Sequence, residues 1–228
     1  MTSTKETKSN YEKGLHDWIE QEKAAIELIG VIGHLWFERQ VELIIFRNQM
    51  VDRSASEIMK LHQYAKDIVK RPINVMDSLM LAKEIQKMDM VPSRIDIGRI
   101  ASEWTQEKSA YKSSAAFITD KLKDYVGQDK NTITPKDVVL YGFGRIGRLA
   151  ARELIVQAGK GEQLRLKAIV TRSATDSDIQ KRADLLRTDS VHGPFPGTII
   201  EDFENKALVV NGHIIKMIAA NKPEDIDY

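Results

Sequence analysis

The 228-residue chain is 42% hydrophobic and 29% charged, enough apolar side chain for a buried core and too much for wholesale disorder. Its 34 Lys and Arg against 33 Asp and Glu leave a net charge of +1, so no global field points to nucleic acid or a membrane surface as a partner. Cysteine is absent, which excludes disulfides, thiolate metal sites and every cysteine nucleophile from this polypeptide.

The opening MTSTKETKSNYEKG has no apolar stretch of the kind a signal peptide needs. Leu28–Phe37 is the longest nearly uncharged run and falls far short of the ~20 residues of a membrane span, so a soluble, cytoplasmic protein is expected. In Leu15–Ile29 the apolar residues Leu15, Trp18, Ile19, Ile26 and Ile29 recur at helical spacing. Leu35–Met50 is richer in apolar residues and reads as a helix buried on more than one side. Ser54-Ala-Ser-Glu57 has the form of a capping box and should open a helix running to about Lys70, where Arg71-Pro72 interrupts it. Asn74–Met88 gives another helix, and the stretch from Ser93 or Asp96 to Tyr125 one or two more.

His16, His34 and His62 show no metal-ligand spacing and read as packing or surface residues; no metal site is expected. Met76, Met80, Met88 and Met90 read as core filler. These observations predict an α-helical bundle over residues 1–130, with no catalytic residue in it.

The composition then changes. Residues 131–228 hold 8 of the 13 glycines and 4 of the 6 prolines, the punctuation of short elements joined by turns. The polar stretch GQDKNTITP, Gly127–Pro135, marks the boundary, and the second domain is expected over residues 136–228. Lys136–Tyr141 reads as a buried parallel strand, and it runs into Gly142-Phe-Gly144-Arg145-Ile146-Gly147 and then a helical segment ending near Gly159. Strand, Gly-x-Gly-x-x-Gly, helix is the context a dinucleotide site requires. Gly142 permits the tight turn, Gly144 lets backbone approach a pyrophosphate, and Gly147 lets the helix pack close to the strand. The helix N-terminus then offers unpaired N–H groups to the phosphates.

Leu164–Val170 alternates and reads as the second parallel strand. At its end, where a carboxylate ordinarily receives the ribose hydroxyls, the chain has Thr171-Arg172-Ser173, with Asp176 and Asp178 arriving several residues late. An arginine at this place accommodates a 2′-phosphate, so the expected cofactor is NAD or NADP.

Tyr141–Arg148, Thr188-Asp-Ser-Val-His-Gly193 with Gly197-Thr198, the run Leu208–Ile215 with its Asn211-Gly212 turn, and the Pro223-x-x-Ile226 spacing resemble the start of phosphorylating glyceraldehyde-3-phosphate dehydrogenase. The likeness covers Val138–Tyr228 in the family's order, and the helical preface resembles the family's long bacterial branch. The resemblance implies the N-terminal part of an α/β Rossmann domain that is truncated here. It also implies cofactor contacts at the N–H groups of Arg145 and Ile146, at Thr171 near the ribose, and at the main chain of Asn221 beside the adenine. Tyr141 stands where the family has an asparagine, and Asn221 where it has an arginine. The family's catalytic cysteine and histidine fall after Tyr228, so none is assigned here and this chain alone is expected to be inactive. The full-length enzyme would oxidatively phosphorylate glyceraldehyde 3-phosphate to 1,3-bisphosphoglycerate as a homo-oligomer, a tetramer by resemblance. Two alternatives stand beside this: a dehydrogenase for erythrose 4-phosphate or a semialdehyde, and a non-enzymatic nucleotide-sensing half-fold joined to a helical interaction module.

Overall fold

In the computed structural model the chain is described over residues 2–127, 134–159 and 164–226, with side chains from residue 10 onward. It divides into two compact units, Met1–Lys130 and Asn131–Tyr228. No described helix is long and apolar enough to cross a membrane.

The first unit opens with one long helix, α1 (Thr2–Arg39). Its buried face is Ala25, Leu28, Ile32 and Leu35, a spacing of three and four residues that lays one stripe along the core. The stripe singled out from bulk and spacing lies elsewhere: Leu15, Trp18, Ile19 and Ile26 are all exposed. The helix ends where Gln40 turns left-handed at φ 56°.

The expected second helix over Leu35–Met50 is not formed. Val41–Ile45 is instead a strand, β1, whose residues alternate buried and half-buried, and Asn48–Gln49 is its antiparallel partner β2. Phe46 and Arg47 both take positive φ, the geometry of a two-residue hairpin turn. The β-branched and leucine residues satisfy a helix period and a buried strand equally well, and the sheet wins because β1 has a second partner far along the chain.

That partner is β3 (Ser93–Asp96), which runs parallel to β1 and completes a three-stranded sheet in the order β2-β1-β3. Between them lie α2 (Ala55–Val69) and α3 (Val75–Lys87). The capping box at Ser54 and Glu57 is formed in both directions, and Lys70 closes α2 in a left-handed conformation before the proline. Ser93–Asp96 is therefore strand rather than helix. Asp96 caps α4 (Ile97–Glu107), its Oδ1 accepting from the N–H groups of Arg99 and Phe46, each at 3.1 Å. A short α5 (Ser114–Lys121) inserts Phe117, fully buried between Trp104 and Tyr111. The unit is helices around a small sheet, not a bundle alone.

Of the three histidines, His62 is buried. Its Nδ1 lies 2.8 Å from the Ile58 carbonyl and its Nε2 lies 2.9 Å from the Ser78 hydroxyl, linking α2 to α3. A carbonyl only accepts, so Nδ1 carries the proton and the neutral Nε2 accepts from Ser78. Met90 is core, Met80 and Met88 pack against it, and Met76 is exposed instead of filling the core.

The second unit is a mixed sheet. β4 (Lys136–Tyr141) and β5 (Leu164–Thr171) are parallel, with α6 (Arg145–Gln157) between them in sequence. α7 (Asp176–Arg187) follows, then a small hairpin of β6 (Thr188–Asp189) and β7 (Gly193–Pro194). The meander β8 (Ile199–Asp202), β9 (Ala207–Val210) and β10 (His213–Ala219) returns β10 parallel to β5. The sheet order is β4-β5-β10-β9-β8. Asn211 and Gly212 turn β9 into β10 with φ of 49° and 82°, as their sequence requires.

One core holds the unit together: Ala151 and Ile155 of α6 and Ile179, Ala183 and Leu186 of α7 pack on Ile169, Leu208, Val210 and Ile215. Each fully buried Leu or Ile here contributes about 1.5–3 kcal/mol. The opposite sheet face is bare at Ile200 and Ile214, which share Val209 as cross-strand neighbour.

Candidate functional site

The carboxyl ends of β4, β5 and β10 lie side by side, and the glycine-rich turn leaves the first of them. Gly142 has φ 97°, a conformation closed to ordinary L-residues, and its N–H donates to the Val170 carbonyl at 2.8 Å. Gly147 is forced by contact: a Cβ there would stand 2.4 Å from the Gly142 carbonyl oxygen, backbone against backbone. Gly144 differs. It has a φ of −72° that any residue can adopt, and a Cβ on it would meet nothing within 4 Å. Nothing in the protein itself demands glycine at 144, which faces open space beside the helix N-terminus.

That N-terminus is unsatisfied. The first intrahelical bond of α6 runs from Arg148 N–H to the Gly144 carbonyl, so the N–H groups of Arg145, Ile146 and Gly147 have no acceptor among the described residues. Gly144 supplies no side-chain cap and the first turn carries no acid. The partial positive charge of the helix end is thus left uncompensated, which suits an anion. Three N–H groups without an acceptor at a helix end are the donor set that an anion such as a pyrophosphate requires.

A cleft of about 340 Å³ opens beside this turn, lined by Gly142, Gly144, Thr171, Arg172, Asp178, Lys181 and Arg182. The loop of Arg172–Ser177 also borders a larger recess of about 720 Å³ floored by Met217 and Ala219. Thr171 is buried and its hydroxyl is committed, donating to the Ser173 carbonyl at 2.7 Å. Arg172 is exposed and, like Lys181, makes no hydrogen bond or ion pair among the described residues. Asn221 is exposed at the far side, where its carbonyl accepts from the Tyr141 hydroxyl at 2.6 Å.

Sequence spacing alone misses Asp178. One turn into α7, it reaches back to the cleft, yet its oxygens are occupied: it accepts from the hydroxyl of Ser173, from the hydroxyl and N–H of Thr175, and from Arg182 at 3.1 Å. The Ser173 and Thr175 hydroxyls lead in holding its carboxyl far below the usual range, so it stays ionised and compensates Arg182. The Thr175-x-x-Asp178 capping signature is the signal that could have found it. Counting charges on the lining, one carboxylate faces three cations, and Arg172 and Lys181 are the surplus. No group of three or more potential ligands for a metal ion occurs among the described residues.

A parallel strand, a glycine turn, an open helix N-terminus and a second parallel strand ending in a cationic cleft define the second unit as a partial Rossmann dinucleotide-binding domain. The family described as "Glyceraldehyde 3-phosphate dehydrogenase, NAD binding domain" matches residues 136–228. A "Glyceraldehyde-3-phosphate dehydrogenase-like protein" of Pseudomonas aeruginosa (strain UCBPP-PA14) is 39% identical over 204 residues, 88% of this chain and 44% of that protein. An alignment of that length must run through most of the first unit as well. The glyceraldehyde-3-phosphate dehydrogenases of Zymomonas mobilis and Streptococcus pyogenes are 35% and 38% identical over 91 residues each, 40% of this chain and 25% and 24% of theirs. The chain thus spans less than half the length of these relatives. Residues 136–228 are similar to the NAD-binding domain of glyceraldehyde-3-phosphate dehydrogenases.

Proposed function

We propose that this portion binds the adenosine and pyrophosphate of a nicotinamide dinucleotide for an enzyme that oxidises and phosphorylates glyceraldehyde 3-phosphate to 1,3-bisphosphoglycerate, and that NADP is accepted at least as well as NAD. The bound cofactor supplies a hydride acceptor. The residues of this chain hold it: the N–H groups of Arg145, Ile146 and Gly147 take the pyrophosphate, Thr171 and Arg172 border the ribose, and the Asn221 main chain lies at the adenine end. With no cysteine in its sequence, the chain offers no thiol to form an acyl thioester, so by itself it turns over no aldehyde. The full-length protein is proposed to be a cytoplasmic homo-oligomer.

The observation that carries the reading is the open, uncapped α6 N-terminus beside two cations, Arg172 and Lys181, that have no partner among the described residues. A carboxylate at the end of β5 would repel a 2′-phosphate; Thr171-Arg172 does not, and Asp178 is spent on Arg182. One charge-assisted hydrogen bond from Arg172 is worth about 1.5–3 kcal/mol, roughly ten- to a hundredfold in affinity before loss to solvent at this exposed rim. The test is calorimetric titration of the 228-residue chain with NAD and NADP, wild type and Arg172→Ala. NADP should bind at least as tightly as NAD, and the variant should lose NADP affinity while keeping NAD. NAD bound far more tightly, with NADP indifferent to Arg172→Ala, would reduce Arg172 to a surface charge.

A further inference from the structure

Helix α1 is longer than the core it packs on. Among the described residues the core of the first unit draws on α1 only from Ala24 onward. About 30 Å of helix lies ahead of that point, at ~1.5 Å per residue. Helices in proteins are held mainly by packing an amphipathic face, and Gly14 within this stretch costs about 1 kcal/mol relative to alanine. α1 nevertheless carries a second apolar face. Tyr11, Leu15, Trp18, Ile19 and Ile26 are exposed at 70%, 47%, 45%, 39% and 59%. At about 100° per residue they fall within one arc about 100° wide, turned about 130° from the face that buries Ala25, Leu28, Ile32 and Leu35. One face of α1 is committed to its own unit, and the other has no cover among the described residues.

Single exposed apolar residues are ordinary, but a contiguous patch of a few hundred Å² marks a place where another surface sits. Aromatic side chains bury about 150–250 Å² each when fully covered and aliphatic ones somewhat less, so at these exposures the stripe offers about 500 Å². Two copies face to face would bury about 1,000 Å² in total, the size at which a specific interface begins. The stripe also matches itself. About a two-fold axis between Trp18 and Ile19, two antiparallel copies set Tyr11 level with Ile26 and Trp18 with Ile19. Leu15 then meets the aliphatic stem of Glu22, the one charged residue within the arc. Glu12 and Lys23 lie along the same edge of the stripe, so this pairing brings Glu12 of each copy to Lys23 of the other. A parallel pair would instead stack Glu22 on Glu22 and align the two helix dipoles.

We propose that α1 is a dimerisation helix: residues 11–26 of one chain pair antiparallel with the same residues of a second copy. Light scattering of the full 228-residue chain at roughly 100 µM, well above a micromolar dissociation constant, should give twice the mass of one chain. Leu15→Glu and Trp18→Glu place a charge in the stripe and touch nothing in the core, and each should raise the dissociation constant at least about tenfold. Because the chain has no cysteine, single substitutions report the register directly. Mild oxidation should cross-link Ile19→Cys with itself, and Tyr11→Cys with Ile26→Cys when the two proteins are mixed. Tyr11→Cys alone should not cross-link, since its two copies would stand about 22 Å apart along the helix axis. A wild-type chain that stays monomeric, or a dimer indifferent to both glutamate substitutions, overturns the proposal. Tyr11→Cys cross-linking to itself overturns the antiparallel geometry. If the glutamate variants fail to fold, the cross-linking pattern decides alone, because its substitutions all lie on the exposed face.

Discussion

Gly144→Ala separates what the fold needs from what a ligand needs. At φ −72° and ψ −169° alanine is unstrained, and its Cβ meets nothing within 4 Å. Alanine is a poorer N-cap than glycine by up to about 1 kcal/mol, but it also removes unfolded-chain entropy worth about 0.4–1 kcal/mol. These offset, so stability should move by no more than about 0.5 kcal/mol. Binding should move far more, because the new methyl occupies the approach to the N–H groups of Arg145 and Ile146. Losing one charge-assisted bond costs about 1.5–3 kcal/mol, roughly ten- to a hundredfold in affinity. Gly147→Ala is the contrast: its Cβ would lie 2.4 Å from the Gly142 oxygen, and that residue is pinned through its own N–H to Val170. A helix-propensity gain of about 1 kcal/mol is set against an overpacking cost of about 1–3 kcal/mol, so this variant should lose both stability and binding. Titration calorimetry with NAD and thermal melts of the three proteins make the comparison. Gly144→Ala binding NAD as tightly as wild type would refute the placement of the phosphates at this turn.

Two further outcomes concern the first unit. Burial pushes the His62 imidazole below its ordinary range, against the opposing pull of the Ile58 carbonyl, so the folded chain keeps it neutral where the unfolded chain would charge it. Below about pH 6.5 the unfolded state binds the extra proton, and stability should fall with pH at up to about 1.4 kcal/mol per unit until the folded-state value is reached. Asp52 and Asp77, raised by burial, act at lower pH and with the opposite sign. Melts between about pH 7 and 5.5 should show the decline in wild type and a flatter profile in His62→Gln; equal slopes would assign the acid sensitivity elsewhere. Residues 1–130, expressed alone, should melt cooperatively by circular dichroism, because their core is drawn wholly from residues 24–122. A disordered spectrum would mean that the exposed Leu15, Trp18 and Ile19 need a cover to fold.

The features legible in the sequence are those decided within a few residues. Ser54-x-x-Glu57, Asn74 and the Pro72 stop set α2 and α3 because caps and proline act on their own turn. Gly142 and Gly147 are legible because a positive φ and a backbone contact admit no other residue. The misreadings are non-local. Val41–Ile45 is a strand because Ser93–Asp96 pairs with it some fifty residues later, and no local period records that. The core face of α1 is built on Ala24, Ala25, Leu28, Val31, Ile32 and Leu35, not on Leu15 or Trp18, because only the later turns of the helix are covered by the rest of the unit. The site divides along the same line. The shape of the glycine turn is local and legible, whereas the charge of the neighbouring cleft depends on which groups stay unpaired after folding. Asp178 stands too late in the chain for a spacing rule to count it, and one turn of α7 brings it into the cleft. Once there it pairs with Arg182, while Arg172 and Lys181 keep no partner among the described residues, and that cationic balance is what supports the proposed acceptance of a 2′-phosphate.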